Sequence, residues 1–165
     1  MPGRKLLKIR FATSTMALST IALLPLLVSS AALVSCNSGD TEDPHSNIVK
    51  LRNDLRGIAT GALQEIRGQT LPEESYVLLY GYQVRGSLHY LPISETLQDK
   101  LEALTPYDYE RYVLVHVVGN KIKEYTRWEP GHDPVFRRVP FLIDGDPFII
   151  TVEAREPHLV TIRLQ

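Results

Sequence analysis

Sulfur and tryptophan are nearly missing from this sequence: one cysteine, two methionines and one tryptophan in 165 residues. With Cys36 alone, no internal disulfide can form, so any fold must hold by packing. Cysteine-built zinc frameworks are excluded on the same ground. The five histidines, His45, His89, His116, His132 and His158, do not replace them, because no two stand four apart and no HExxH motif occurs. The sequence therefore points to no metal site and no cofactor. It also lacks a G-x-S-x-G elbow, and the glycine-bounded stretch of residues 81–86 (GYQVRG) has neither the lysine nor the helix start of a phosphate loop. With no nucleophile–base pair to name, no catalytic residue is assigned, and the reading leans away from an enzyme.

Charge is absent from residues 11–34, and acid is absent from the ten residues before them, which carry Arg4, Lys5, Lys8 and Arg10. A basic start, an uncharged apolar run and small residues at its end are the layout of a secretory signal. The run is long enough to span a bilayer as an uncleaved anchor. Against a permanent span stand seven hydroxyl side chains and Pro25 within it. The run closes on Leu33-Val34-Ser35-Cys36. These four residues resemble the lipobox of bacterial lipoproteins, in which an aliphatic and a small residue precede the cysteine that is lipidated. The resemblance covers residues 1–36. It implies a diacylglyceryl group on the Cys36 thiol, cleavage between Ser35 and Cys36, and three acyl chains on the mature cysteine. Several chains hold a protein to a bilayer far more firmly than one. In the Gram-negative members an Asp after the cysteine marks inner-membrane retention, so Asn37 implies the outer membrane rather than the inner.

Processing at Cys36 would leave residues 36–165, which hold all 19 acids but only 14 of the 18 basic residues, a net charge of −5. That balance repels phosphate backbones, and nucleic acid is excluded as a partner. Residues 37–46 (NSGDTEDPHS) are polar and acidic, as a flexible tether is, with a typical reach of about 17 Å. An acidic stretch just after a lipidated cysteine also serves as a surface-export signal in some bacteria. The expected organisation is a signal peptide over 1–35, a lipidated cysteine and tether over 36–46, and one globular domain over 47–165.

Within that domain the spacing predicts a helix capped by Ser46 and running to about residue 67. Ile48, Leu51, Leu55, Ile58, Ala59, Ala62 and Ile66 form one face, and Gly68 is the stop. Gly57 and Gly61 fall on the opposite face; a helix held by tertiary contact tolerates them there, and a second contact face where another backbone comes close is the alternative. Residues 76–84 read as a central strand with apolar residues on both faces. A short helix starts at Ser94 with Leu97, Leu101 and Leu104, closed by Pro106. From Glu110 the chain reads as a meander: a strand over 111–118, a turn at Gly119-Asn120 and a strand over 121–128. A third covers 135–143, where Pro140 implies a sheet edge or a bulge; a type I′ turn at Asp144-Gly145 then leads to two more strands joined at Glu156-Pro157. The expected class is α+β, an antiparallel sheet of five or six strands with one or two packed helices. A β-sandwich with a peripheral N-terminal helix is the alternative.

Two groups of residues qualify as candidate contacts. Glu129, His132 and Asp133 share the loop EPGHDP, where a carboxylate and an imidazole can bind a cation; a polar Pro/Gly turn explains the same residues. Tyr107 and Tyr109 precede the strand over 111–118 and, with Gly57 and Gly61, are the candidate partner-binding residues. His116 lies inside an apolar strand and reads as a hydrogen-bonded interior residue. The composite expectation is a lipid-anchored envelope module, non-enzymatic, bound to the membrane through Cys36 and to another envelope protein. A small glycan- or ligand-binding domain, possible as a catalyst, is the alternative; it requires a concave site.

Overall fold

The computed structural model describes residues 40–81, 86–105 and 111–165. They form two α-helices, α1 (Asn47–Thr60) and α2 (Glu95–Leu104), and eight strands. These are β1 (Glu65–Gly68), β2 (Glu74–Tyr80), β3 (Tyr112–Val118), β4 (Lys121–Trp128), β5 (Val135–Phe136), β6 (Phe141–Ile143), β7 (Phe148–Glu156) and β8 (Leu159–Leu164). The class is α+β, with helices packed on sheet, as the pattern of elements predicts. The strands divide into two four-stranded sheets, ordered β4-β3-β2-β6 and β1-β7-β8-β5. Every pairing is antiparallel except β5 with β8.

The sheet β4-β3-β2-β6 is the middle layer, and this explains why β2 and β3 are apolar on both faces. Tyr76, Leu78, Tyr112 and Leu114 face one way, into a core with α1 and the inner residues of the second sheet, including Ile150 and Val160. Val77, Leu79, Val113, Val115 and Val117 face the other way, under Leu97 and Leu101 of α2 and Leu88 of a 3₁₀ turn. Covered on both sides, these strands lose the polar alternation that a half-exposed strand keeps. Tyr112 joins the two sheets: its hydroxyl accepts a hydrogen bond from the Phe136 backbone N–H of β5 (2.7 Å), and its ring stacks on Trp128. Burial pushes this phenol far above its ordinary range.

Four sequence expectations change. The first helix ends at Thr60, not near residue 67, because Gly61 takes the left-handed conformation (φ 87°) that terminates helices. Ile66 keeps its place in the core, but on β1. Arg155 of β7 reinforces the stop by donating to the last-turn carbonyls of Ile58 (2.6 Å) and Ala59 (2.5 Å). Second, Ser46 makes no side-chain cap; its hydroxyl donates to Glu124 instead. Third, the single strand expected over 135–143 is two short strands in different sheets, separated by Arg138 at φ 64°. Fourth, Asp144-Gly145 closes no hairpin. It carries the chain from β6 in one sheet to β7 in the other, with Gly145 at φ 99°. The local turn chemistry was legible, but turn residues do not tell which sheet receives the next strand.

The α2 helix and two hairpins match their signals. Ser94 Oγ accepts from Leu97 N (3.3 Å), as an N-cap does. Gly119, at φ 56°, turns β3 into β4, and Pro157-His158 turns β7 into β8.

Candidate functional site

Of the residues singled out from sequence, Ser35, Cys36, Tyr107 and Tyr109 lie outside the described residues. The EPGHDP loop is described, and its acids are turned to structural use. Glu129 pairs with Arg111 (2.9 Å) and Asp133 with Arg56 of α1 (3.2 Å), while His132 stands exposed. Each carboxylate is directed at its own arginine, so the three side chains do not converge on one point. No group of three or more His, Cys, Asp or Glu among the described residues is arranged to hold a metal ion. The two glycines also serve the fold. Gly61 is the helix stop, and Gly57 lies under Leu63, whose N–H donates to the Gly57 carbonyl (3.0 Å). A methyl group at Gly57 would meet Leu63 Cδ1 at 2.8 Å. The close approach expected at this face is made by the chain itself.

A buried polar cluster surrounds His116. Its ring is 3% exposed and stacks on Tyr76 at 4.6 Å. Nδ1 lies 3.2 Å from Glu124 Oε1; Nε2 lies 3.5 Å from Glu74 Oε1 but makes no hydrogen bond. The expectation of a hydrogen-bonded interior histidine therefore holds at one nitrogen. Burial first, then the charges of Glu74 and Glu124, raise the Tyr76 phenol pKa. Ser46 Oγ donates to Glu124 Oε2 (3.2 Å), so the carboxylate stands between serine and imidazole. Activation of a serine needs the opposite order, with the imidazole on the hydroxyl. These residues line a hollow of about 440 Å³ together with Gln69 and Lys123.

A larger cleft of about 840 Å³ opens between α2 and the edge strand β4. Its walls are mostly apolar: Ala103 and Leu104 from the helix, Val118 from β3, Ile122 and Tyr125 from β4. Lys100, Lys121 and Lys123 stand around them. The alternation Lys121, Ile122, Lys123 is a strand signal in the sequence. What sequence cannot show is the bulge in β4 opposite His116 and Val117, which shifts the register there and leaves Lys123 without a partner on β3. Glu74 and Lys123 line both the cleft and the histidine hollow, and their charges are 3.9 Å apart. The tether residue Asp40 bridges to Tyr125, and Thr41 N–H donates to the Tyr125 carbonyl (2.8 Å). The cleft thus lies where the polypeptide from Cys36 joins the fold. No protein-family model, curated protein or solved structure matches this chain.

Proposed function

We propose that this chain is a lipid-anchored protein of the bacterial cell envelope whose folded part works by binding rather than by catalysis. The anchor reading rests on the lipobox-like residues 33–36 and the basic, then uncharged, stretch before them. Lipid on Cys36 holds the protein to a membrane, the outer one in a host with two. The binding reading rests on one observation: a concave, mainly apolar cleft of about 840 Å³ beside the point where the tether meets the fold. That volume is in the range of small-ligand sites.

A concave seat favours a ligand over the broad protein contact first expected of this domain. The large apolar side chains exposed among the described residues, Leu63, Leu71 and Tyr90, come from three separate segments. A partner envelope protein is the second reading. In its favour, the described residues pair the outer edge of β4 only at Tyr125, which leaves backbone for an added strand.

Two variants test the proposal. The wild-type chain takes up labelled palmitate and loses residues 1–35, whereas Cys36→Ser takes up none and keeps its full size. A wild-type chain that stays unlabelled would sink the anchor. In the purified protein an apolar fluorescent probe binds in the cleft, and Ile122→Asp abolishes that binding; equal binding to both would remove the cleft as the seat.

A further inference from the structure

Residues 36–165 contain only four lysines, and three of them, Lys100, Lys121 and Lys123, stand around the apolar cleft. Apart from Lys50, the basic residues elsewhere in this part of the chain are arginines, and its net charge is −5. A local excess of ammonium groups on an acidic domain is a directional charge pattern. Lysine stems can lie along apolar walls while their charged ends reach the rim. Lys100 Nζ donates to the Asn120 carbonyl (3.3 Å), a neutral group, and so keeps its charge available. Lys123 is 3.9 Å from Glu74, whose other oxygen accepts from Leu71 N–H. Among the described residues the Lys121 side chain has no hydrogen-bond or ion-pair partner.

From these observations we infer that the cleft takes one acyl chain of an anionic phospholipid from the bilayer, with the phosphate held by Lys121 and Lys123 and supported by Lys100. The inference deepens the binding reading of the same cleft. Ala103, Leu104, Val118, Ile122 and Tyr125 supply an apolar bed, and the lysines supply the charge that the phosphate lacks. Delivery follows from connectivity. Asp40 is fixed at Tyr125, and four residues back to Cys36 span at most about 14 Å. A lipid on Cys36 therefore keeps the cleft within one short tether of the membrane, the source of the ligand. Charge repulsion from the rest of the acidic domain leaves the lysine rim as the face that an anionic surface favours.

The test reconstitutes the full-length chain in phosphatidylcholine vesicles. These contain a minor fraction of phosphatidylglycerol with a photoreactive diazirine at the end of one acyl chain. After illumination and digestion, mass spectrometry locates the label. Label is expected on residues 103–104 and 121–125. It falls about tenfold or more in Lys121→Glu/Lys123→Glu, the loss expected for two lysines at an anionic lipid surface. Phosphatidylcholine carrying the same diazirine labels these residues far less. Both lysines are exposed, so the double variant keeps the fold, which its circular dichroism confirms. Label confined to residues 1–39 would overturn the proposal, and so would equal labelling of the cleft by the two lipids. The mass of the peptide containing Cys36 in the same digest reports lipidation independently, which separates failure of the cleft from failure of the anchor.

Discussion

Removing one oxygen atom tests how the two sheets are joined. In Tyr112→Phe the Phe136 N–H of β5 loses its acceptor at a position where both residues are buried. An orphaned buried donor costs about 1–3 kcal/mol, while the ring contacts with Trp128, Tyr80 and Phe136 persist. Urea unfolding followed by circular dichroism should show that loss as a lower midpoint with an unchanged slope. Tyr90→Phe is the control: Tyr90 is 85% exposed, and its stability should not move. A second signature lies in pH. Burial raises the Tyr112 pKa in the folded state above the ordinary 10.0, so the unfolded chain gives up this proton first. Stability from this group is complete below pH 10 and is lost as pH rises from there towards the folded value, at up to about 1.4 kcal/mol per pH unit. Tyr76 adds a loss of the same sign. The Phe variant should therefore lose stability less steeply above pH 10 than the wild type. Equal alkaline slopes, or a Tyr112→Phe midpoint at the wild-type value, would refute the joint between the sheets.

Other consequences are local. Gly68 pairs with Phe148 across β1 and β7, and a methyl group at Gly68 would clash with Cζ of the Phe148 ring. Gly68→Ala should cost about 1–3 kcal/mol by forcing that buried ring aside, read as a lower urea midpoint; a neutral result would contradict the packing. Gly61→Ala places a side chain at φ 87° and should cost about 1–2 kcal/mol, whereas Gly61→Asn, which tolerates that conformation, should recover part of it. Arg155→Ala removes the guanidinium donors from the carbonyls of Ile58 and Ala59, leaving Ile58 only the Gly61 N–H, and hydrogen exchange should rise in the last turn of α1 before it rises elsewhere.

What the sequence made legible was local and periodic. The leucines of α2, the Ser94 cap, the alternation of Tyr76 to Leu79 and the Gly119 turn all carry their signals within a few residues. The end of α1 was misread because Ala62 and Ile66 continue the helical spacing, while Gly61, read as a tolerated helix glycine, takes the left-handed conformation that stops it. Two sheets stood only as the alternative, and which strands join which sheet could not be read, since it depends on which neighbour β6 and β7 find after Asp144-Gly145. The cleft was hidden for the same reason. Lys100 on α2 and Lys121 on β4 meet there only through tertiary packing, and the β4 bulge that shifts the register beside Lys123 has no sequence mark. The cation candidates Glu129 and Asp133 failed to converge because Arg111 and Arg56, brought close by the fold, claim one carboxylate each.

The mass of the mature N-terminal peptide tests the proposed lipid at Cys36. The full-length chain is expressed in a bacterial host, extracted in detergent and digested, and the peptide is read by mass spectrometry. The expected peptide begins at Cys36 and carries diacylglyceryl and amide-linked acyl mass. A peptide that still includes Ser35, or a Cys36 with a free thiol, would contradict it.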